Sequence, residues 1–160
     1  SREKGIHGQS EYNAFKTLKP FPENLSEKLC RLVNLVILPS LIEKNFKDFS
    51  SAIGKLQKIV GTHFSPIQGG VYSNPDIANI MSYVEKNGFM GVGQSSWGPT
   101  GFILTDSDTS AHKLTKDIRQ NFLCKDLQIE IIQGRNKGSC IEFIDSNTDS
   151  QNKNLNIHKE

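Results

Sequence analysis

The pattern of apolar residues predicts an α+β domain, a ferredoxin-like antiparallel sheet with helices packed on one face. Two helical stretches come first, at 25–44 and 46–60, with apolar residues recurring every three or four positions. Two short β-type runs, 89–93 and 101–105, flank a glycine-rich connection. A further helical stretch precedes two more apolar runs, 127–132 and 139–144. Helices, a hairpin, a helix and two strands in that order suit one antiparallel sheet with a helical layer. At 160 residues, 36% hydrophobic and 22% charged, the chain is enough for one domain and short for two.

Residues 1–23 show no periodicity and end in Lys19-Pro20-Phe21-Pro22, which keeps the backbone extended. The domain itself is expected over 24–144. In the first helix Leu25, Leu29, Leu32, Val33 and Val36 share a face, and Pro39 predicts a kink because it lacks an amide hydrogen. Asn45 is the expected cap of the second helix, with Phe49, Ile53, Leu56 and Val60 inward and Gly61 as its stop. A loop is expected over 61–73. Asn74-Pro75-Asp76 then opens a third helix: a capping side chain, proline in the first turn, and an acid facing the positive end of the helix dipole. Ile77, Ile80, Met81 and Val84 form its inner face, and Gly88 supplies a left-handed stop. Ser110 is the expected cap of a helix over 111–122, with Ala111, Leu114, Ile118 and Phe122 inward. Gly134 to Gly138 reads as a hairpin connection between the last two strands. The polar stretch 145–160 has too little apolar surface to offset its ordering entropy and reads as a disordered tail.

A net charge of +2, with 19 basic residues scattered singly, gives no argument for nucleic acid. The longest apolar stretch, Leu32 to Leu38, falls far short of the roughly 20 residues a membrane span needs. Cys30, Cys124 and Cys140 are odd in number and widely spaced, which supports neither a disulfide framework nor a zinc site. Cys30, in an apolar helical run, reads as a small hydrophobe, and a reducing cytoplasm is the expected compartment. Ser1-Arg2-Glu3-Lys4 carries no initiator methionine, so the chain reads as entered midway through a longer protein.

The segment from Gly91 to Gly101 is the outlier. It gathers four glycines, two serines, a threonine and the only tryptophan between two strands. Glycine allows positive φ and close approach of backbone amides to a ligand, and successive amides with hydroxyls can form an anion-binding concavity. A decorated β-turn has the same composition. The dinucleotide fingerprint would need glycine at Ser96 and a helix after the loop; the nucleotide-hydrolase phosphate loop would need Gly-Lys-Ser/Thr; a serine-hydrolase elbow on Ser95 would need glycine at Trp97. None is present.

The run Gly93-Gln94-Ser95-Ser96-Trp97-Gly98-Pro99-Thr100 resembles the signature of β-ribofuranosylaminobenzene 5′-phosphate synthases, a branch of the GHMP (galactose, homoserine, mevalonate and phosphomevalonate) kinase superfamily. The resemblance extends through Gln68-Gly69-Gly70, Cys30-Arg31-Leu32 and Leu38-Pro39-Ser40-Leu41, and reaches Glu11 and Phe15. It implies a C-terminal domain that faces an N-terminal domain carrying the main phosphate loop. No such loop is in this sequence, so the chain alone is expected to be inactive. The implied reaction couples 4-hydroxybenzoate or 4-aminobenzoate to phosphoribosyl pyrophosphate, releasing carbon dioxide and pyrophosphate on a route to methanopterin-type cofactors.

On that resemblance Gly91, Gly93, Gln94, Ser95, Ser96, Gly98 and Thr100 are expected at the phosphorylated substrate. Trp97 would stack on the aromatic acid or wall the cleft, and Gln68, Gly69 and Gly70 would shape its opposite rim or form an ordinary turn. No cofactor and no metal ligand are assigned to this domain; magnesium is expected only with the pyrophosphate in the whole enzyme. His63 is expected to stabilise a helix end, His112 to be solvated, and Arg135 and Lys137 to sit at a hairpin tip. His7 and Glu11 fall in the irregular start. No carboxylate pair is spaced for acid/base work, which agrees with catalysis by positioning. Two rival readings remain: an ATP-dependent small-molecule kinase of the same superfamily, and a non-catalytic binding module. A half-enzyme should expose the surface that meets its other half, so a homodimer is expected.

Overall fold

The structure, a computed structural model, describes residues 5–122, 127–134 and 137–139. Helix α1 spans Gln9–Thr17, within the stretch expected to be irregular. Its boundaries are weakly signalled, because Gly8 offers no capping side chain and Ala14 alone is buried. Helix α2 (Glu23–Leu32), a π-helical turn (Val33–Ile37) and helix α3 (Leu38–Ile42) replace the single kinked helix. The cause is Pro39. Its ring crowds the carbonyl of the preceding turn and it has no hydrogen to donate, so the chain widens just before it. The amide of Leu38 accordingly bonds the carbonyl of Val33, five residues back. Cys30, read as a small hydrophobe of an apolar helical run, is exposed.

Helix α4 runs Phe46–Gln68 and is capped by Asn45, whose side chain accepts from the amide of Asp48. Gly61 does not stop it. A Cβ there would stand 2.6 Å from the carbonyl oxygen of Val71, so glycine lets the helix pass the returning chain. The helix ends instead at Gly69, which adopts φ 86. Of the expected inward stripe, Phe49, Ile53, Leu56 and Val60 are only half-buried; the buried residues of α4 are Ser50, Ala52 and Gly54. This helix is packed on two sides, by the π-helical turn and by the sheet, so no single apolar stripe describes it.

Helix α5 (Pro75–Lys86) starts as expected, the Asn74 side chain accepting from the amides of Asp76 and Ile77. Strands β1 (Val92–Gln94) and β2 (Gly101–Ile103) pair antiparallel with Val92 opposite Ile103 and Gln94 opposite Gly101. Backbone bonds from Leu104 to Gly91 and from Ser95 to Thr100 extend the ladder at both ends. Helix α6 spans Asp108–Asn121 and is capped by Ser107 rather than Ser110. The core joins α5, β1 and α6 through Ile80, Met81, Val84, Val92, Leu114 and Ile118.

Helices cover both faces of the hairpin, not one. Because side chains alternate across a strand, Val92 faces α5 while Gly91 and Gly93 face α4. Residues 127–132 are described but form no strand; Leu127 and Ile129 pack against the core while Gln128 and Glu130 are exposed. Most of the expected strand 139–144, together with Arg135, Cys124, Cys140 and the stretch 145–160, lies outside the described residues. Among the described residues no helix is long and apolar enough to cross a membrane. On the far side of α4, Leu35, Leu41 and Ile42 are 61%, 55% and 81% exposed.

Candidate functional site

The loop between the strands is a tight turn. The amide of Ser95 donates to Thr100 and that of Gly98 to Ser95, both at 2.9 Å, so these two amides are used within the loop. Ser96 holds φ 51 and Gly98 φ 72. A Cβ on Gly98 would lie 2.1 Å from Ser73 Oγ, which excludes any larger residue there without movement. Ser95, Ser96 and Thr100 are exposed, and among the described residues their hydroxyls make no hydrogen bond. Gly91 and Gly93 sit beneath α4. Added Cβ atoms would meet Ser50 at 2.9 Å and Gln57 at 2.6 Å, so these glycines have a packing role whatever else they do.

Trp97 turns the other way and is 6% exposed. Its ring meets Phe64 at 4.9 Å and Phe15 at 5.6 Å, edge to face, the arrangement aromatic quadrupoles favour. Its Nε1–H donates to Glu11 Oε1 at 2.9 Å. Helix α1 thus supplies Glu11 and Phe15 on one face, one turn apart. His63 lies within α4, not beyond a helix end, and packs between Phe21, tilted to it, and Phe64, edge to face.

Gln94 is the polar centre. Its Oε1 accepts from the Ser73 amide at 2.7 Å, while its Nε2 donates to Gln68 Oε1 at 3.1 Å and to the Ser96 carbonyl at 3.2 Å. Its own amide donates to Gln57 Oε1. Gln68 completes the network, donating to the carbonyls of Gly70 and Val71 at 2.8 and 2.9 Å. A buried amide with each polar atom bonded rigidifies its neighbours, because any rearrangement strands a donor or acceptor. Gln68 and Gln94 are therefore brought together as expected of one site. Gly69 and Gly70 shape the turn after α4 and do not line the cavity beside Trp97.

These groups border an open cavity of about 240 Å³, lined among others by Glu11, Phe15, Phe64, Gln68, Gln94 and Trp97, with the exposed Ser96 at its rim. Tyr72 also borders it; burial, with the nearby Glu85 carboxylate, pushes its hydroxyl up to about 12, so it stays neutral. Glu11, Phe15, Gln57, Phe64 and Tyr72 were not singled out as one site from sequence. The legible signals were the i, i+4 spacing of Glu11 and Phe15 and the i, i+7, i+11 spacing of Gln57, Phe64 and Gln68. Among the described residues no three His, Cys, Asp or Glu side chains converge.

A helix-backed hairpin with a polar, glycine-rich turn beside an aromatic cavity defines a small α+β domain. The chain belongs to the GHMP kinase C-terminal family: the profile described as "GHMP kinases C terminal" matches residues 37–123, more than half of the chain. It is similar to β-ribofuranosylphenol 5′-phosphate synthase of Methanocaldococcus jannaschii, 31% identical over 108 residues, covering 68% of this chain and 31% of the relative. The enzyme of the same name from Archaeoglobus fulgidus is 27% identical over 143 residues, covering 87% of this chain and 42% of the relative. A 4-diphosphocytidyl-2-C-methyl-D-erythritol kinase of Gloeothece citriformis is 35% identical over 69 residues, 43% of this chain and 22% of the relative. The chain therefore spans well under half the length of the relatives it matches. No solved structure matches it significantly.

Proposed function

We propose that this domain is the C-terminal half of a synthase that joins a phenol-type aromatic acid to phosphoribosyl pyrophosphate. The observation that carries this reading is the likeness to three proteins named β-ribofuranosylphenol 5′-phosphate synthase. A phenol in the product makes 4-hydroxybenzoate the preferred acid over 4-aminobenzoate. The exposed hydroxyls of Ser95, Ser96 and Thr100 support a role against the phosphorylated substrate, where oriented donors stabilise charge developing on the leaving pyrophosphate. The phosphate loop would come from an N-terminal domain across a cleft, and the route served would be that of a methanopterin-type cofactor.

The test is pyrophosphate release from phosphoribosyl pyrophosphate and 4-hydroxybenzoate. The whole reading frame that encodes this domain is expected to release pyrophosphate with carbon dioxide, and the 160-residue chain alone is not. Absence of release with either aromatic acid overturns the reading. The likeness to the Gloeothece kinase favours a second one, ATP-dependent phosphorylation of an alcohol, which ATP consumption in the same assay would reveal. The exposed Leu35, Leu41 and Ile42 support self-association of the isolated domain, for which light scattering at high concentration is the check.

A further inference from the structure

The cavity beneath Trp97 has an unusual mixture of walls. Phe15, Phe64 and Trp97 supply flat aromatic surface, and the glutamines are largely engaged with one another. Among the described residues the lining contains one charged group, the carboxylate of Glu11, and no lysine, arginine or histidine. An anion gains nothing there. Phosphate, pyrophosphate and the carboxylate of an aromatic acid are all disfavoured by a lone negative charge in a partly desolvated space. What such a space favours is a flat, neutral ring with a hydrogen-bond donor. Size agrees, since a cavity of roughly 150 Å³ suffices for benzene and this one measures about 240 Å³.

Glu11 has capacity to spare. A carboxylate offers about four acceptor positions, and among the described residues only Trp97 Nε1 donates to it. That bond holds the carboxylate against the aromatic wall and leaves its other oxygen for a ligand.

We propose that this cavity takes the hydroxyl-bearing end of the aromatic substrate, with Glu11 accepting the hydrogen bond from the phenol. The assignment rests on the synthase reading of the domain. The ring enters hydroxyl first, and its carboxylate end points out toward Ser96 at the rim, where the phosphoribosyl group would be met. Glu11 then serves as the base. As the phenol proton moves to Glu11, the oxygen lone pair raises electron density at the para carbon, which bears the carboxylate. That carbon forms a bond to C1′ of the ribose while the C1′–O bond breaks and its electron pair leaves on pyrophosphate. The carbon–carboxylate bond then breaks, carbon dioxide departs, and the released pair restores the aromatic ring. The proton returns from Glu11 to the oxygen. Glu11 is thus a catalytic residue, and its placement explains why the donor edge must be buried and the reacting carbon left at the rim.

The experiment needs no turnover. Trp97 is the only tryptophan, so its indole N–H resonance reports on the cavity alone. Phenol, anisole and benzoate are titrated into the chain and that resonance is followed. Phenol is expected to shift it saturably, with anisole and benzoate binding at least about tenfold more weakly, the loss of one charge-assisted hydrogen bond. Glu11→Gln, which still offers Trp97 an oxygen, should weaken phenol about tenfold and leave anisole unchanged. Equal binding of phenol and anisole, no response to phenol, or unchanged affinity in Glu11→Gln overturns the assignment. Pyrophosphate release by the whole enzyme without selective phenol binding would remove this subsite and leave the function standing. Selective phenol binding without pyrophosphate release would do the reverse.

Discussion

Gln94 Nε2 donates to Gln68 Oε1 at 3.1 Å, joining the end of β1 to the last turn of α4. Neither residue is spare: Gln94 also receives the Ser73 amide and Gln68 holds the carbonyls of Gly70 and Val71. Gln94→Met keeps the length of the side chain but leaves the Ser73 amide and two carbonyl acceptors without their partner. The expected loss is about 3 kcal/mol, from stranded polar groups at roughly 1–3 kcal/mol each. Urea denaturation should show a lower midpoint at unchanged slope.

Trp97 and Glu11 separate in a different way. Trp97→Phe retains an aromatic wall but removes the donor to a carboxylate, at an expected cost of about 2 kcal/mol. Glu11→Gln retains an acceptor and should stay within about 1 kcal/mol of the parent. Thermal melts of the two variants followed by circular dichroism give the comparison.

Gly54 tests the approach of α4 to the sheet. Alanine is the better helix former by about 1 kcal/mol, yet a Cβ there would stand 1.9 Å from the Met90 carbonyl oxygen. Gly54→Ala should therefore destabilise by about 2–3 kcal/mol. Gly88→Ala, at φ 91 with no atom near, should cost only about 1 kcal/mol from the left-handed backbone. Equal effects in equilibrium unfolding would contradict the close approach.

Tyr72 predicts a feature of alkaline unfolding. Its folded value is raised to about 12 from an ordinary 10. The unfolded chain loses that proton first, so stability is fully present below pH 10 and falls as pH rises toward 12. Because Tyr72 is only partly buried, the effect should not exceed about 1 kcal/mol. Tyr72→Phe should flatten this limb of the stability–pH curve relative to the parent; an unchanged slope would contradict the shift.

Much of the scaffold was legible. The caps Asn45 and Asn74 and the inner face of α5 follow from local chemistry that operates over a few residues, and the hairpin is announced by two β-type runs around glycines. Gly61 misled because a helix stop and a packing glycine carry the same letter; only the returning chain at Val71 tells them apart. The π-helical turn was visible as a proline but not as a register change. In the site, Gln68, Gln94 and Trp97 were found through the family-like loop, whereas Glu11, Phe15 and Gln57 were not assembled with them. The Glu11–Trp97 bond spans 86 positions, and no local pattern encodes a contact at that distance.

Gln57, Phe64 and Gln68 lie along one face of α4, and the same helix rests on the sheet at Gly54. Successive residues of an α-helix are set about 100° apart. Inserting or deleting one residue between Gly54 and Gln57 would swing all three away together, Gln57 off Gly93 and Gln94 included, while the contact at Gly54 stayed put. The length of this short stretch is thus under a tighter constraint than the identity of its solvent-facing letters. Relatives of this domain should tolerate exchanges at Lys55 and Lys58 far more readily than any gap between them.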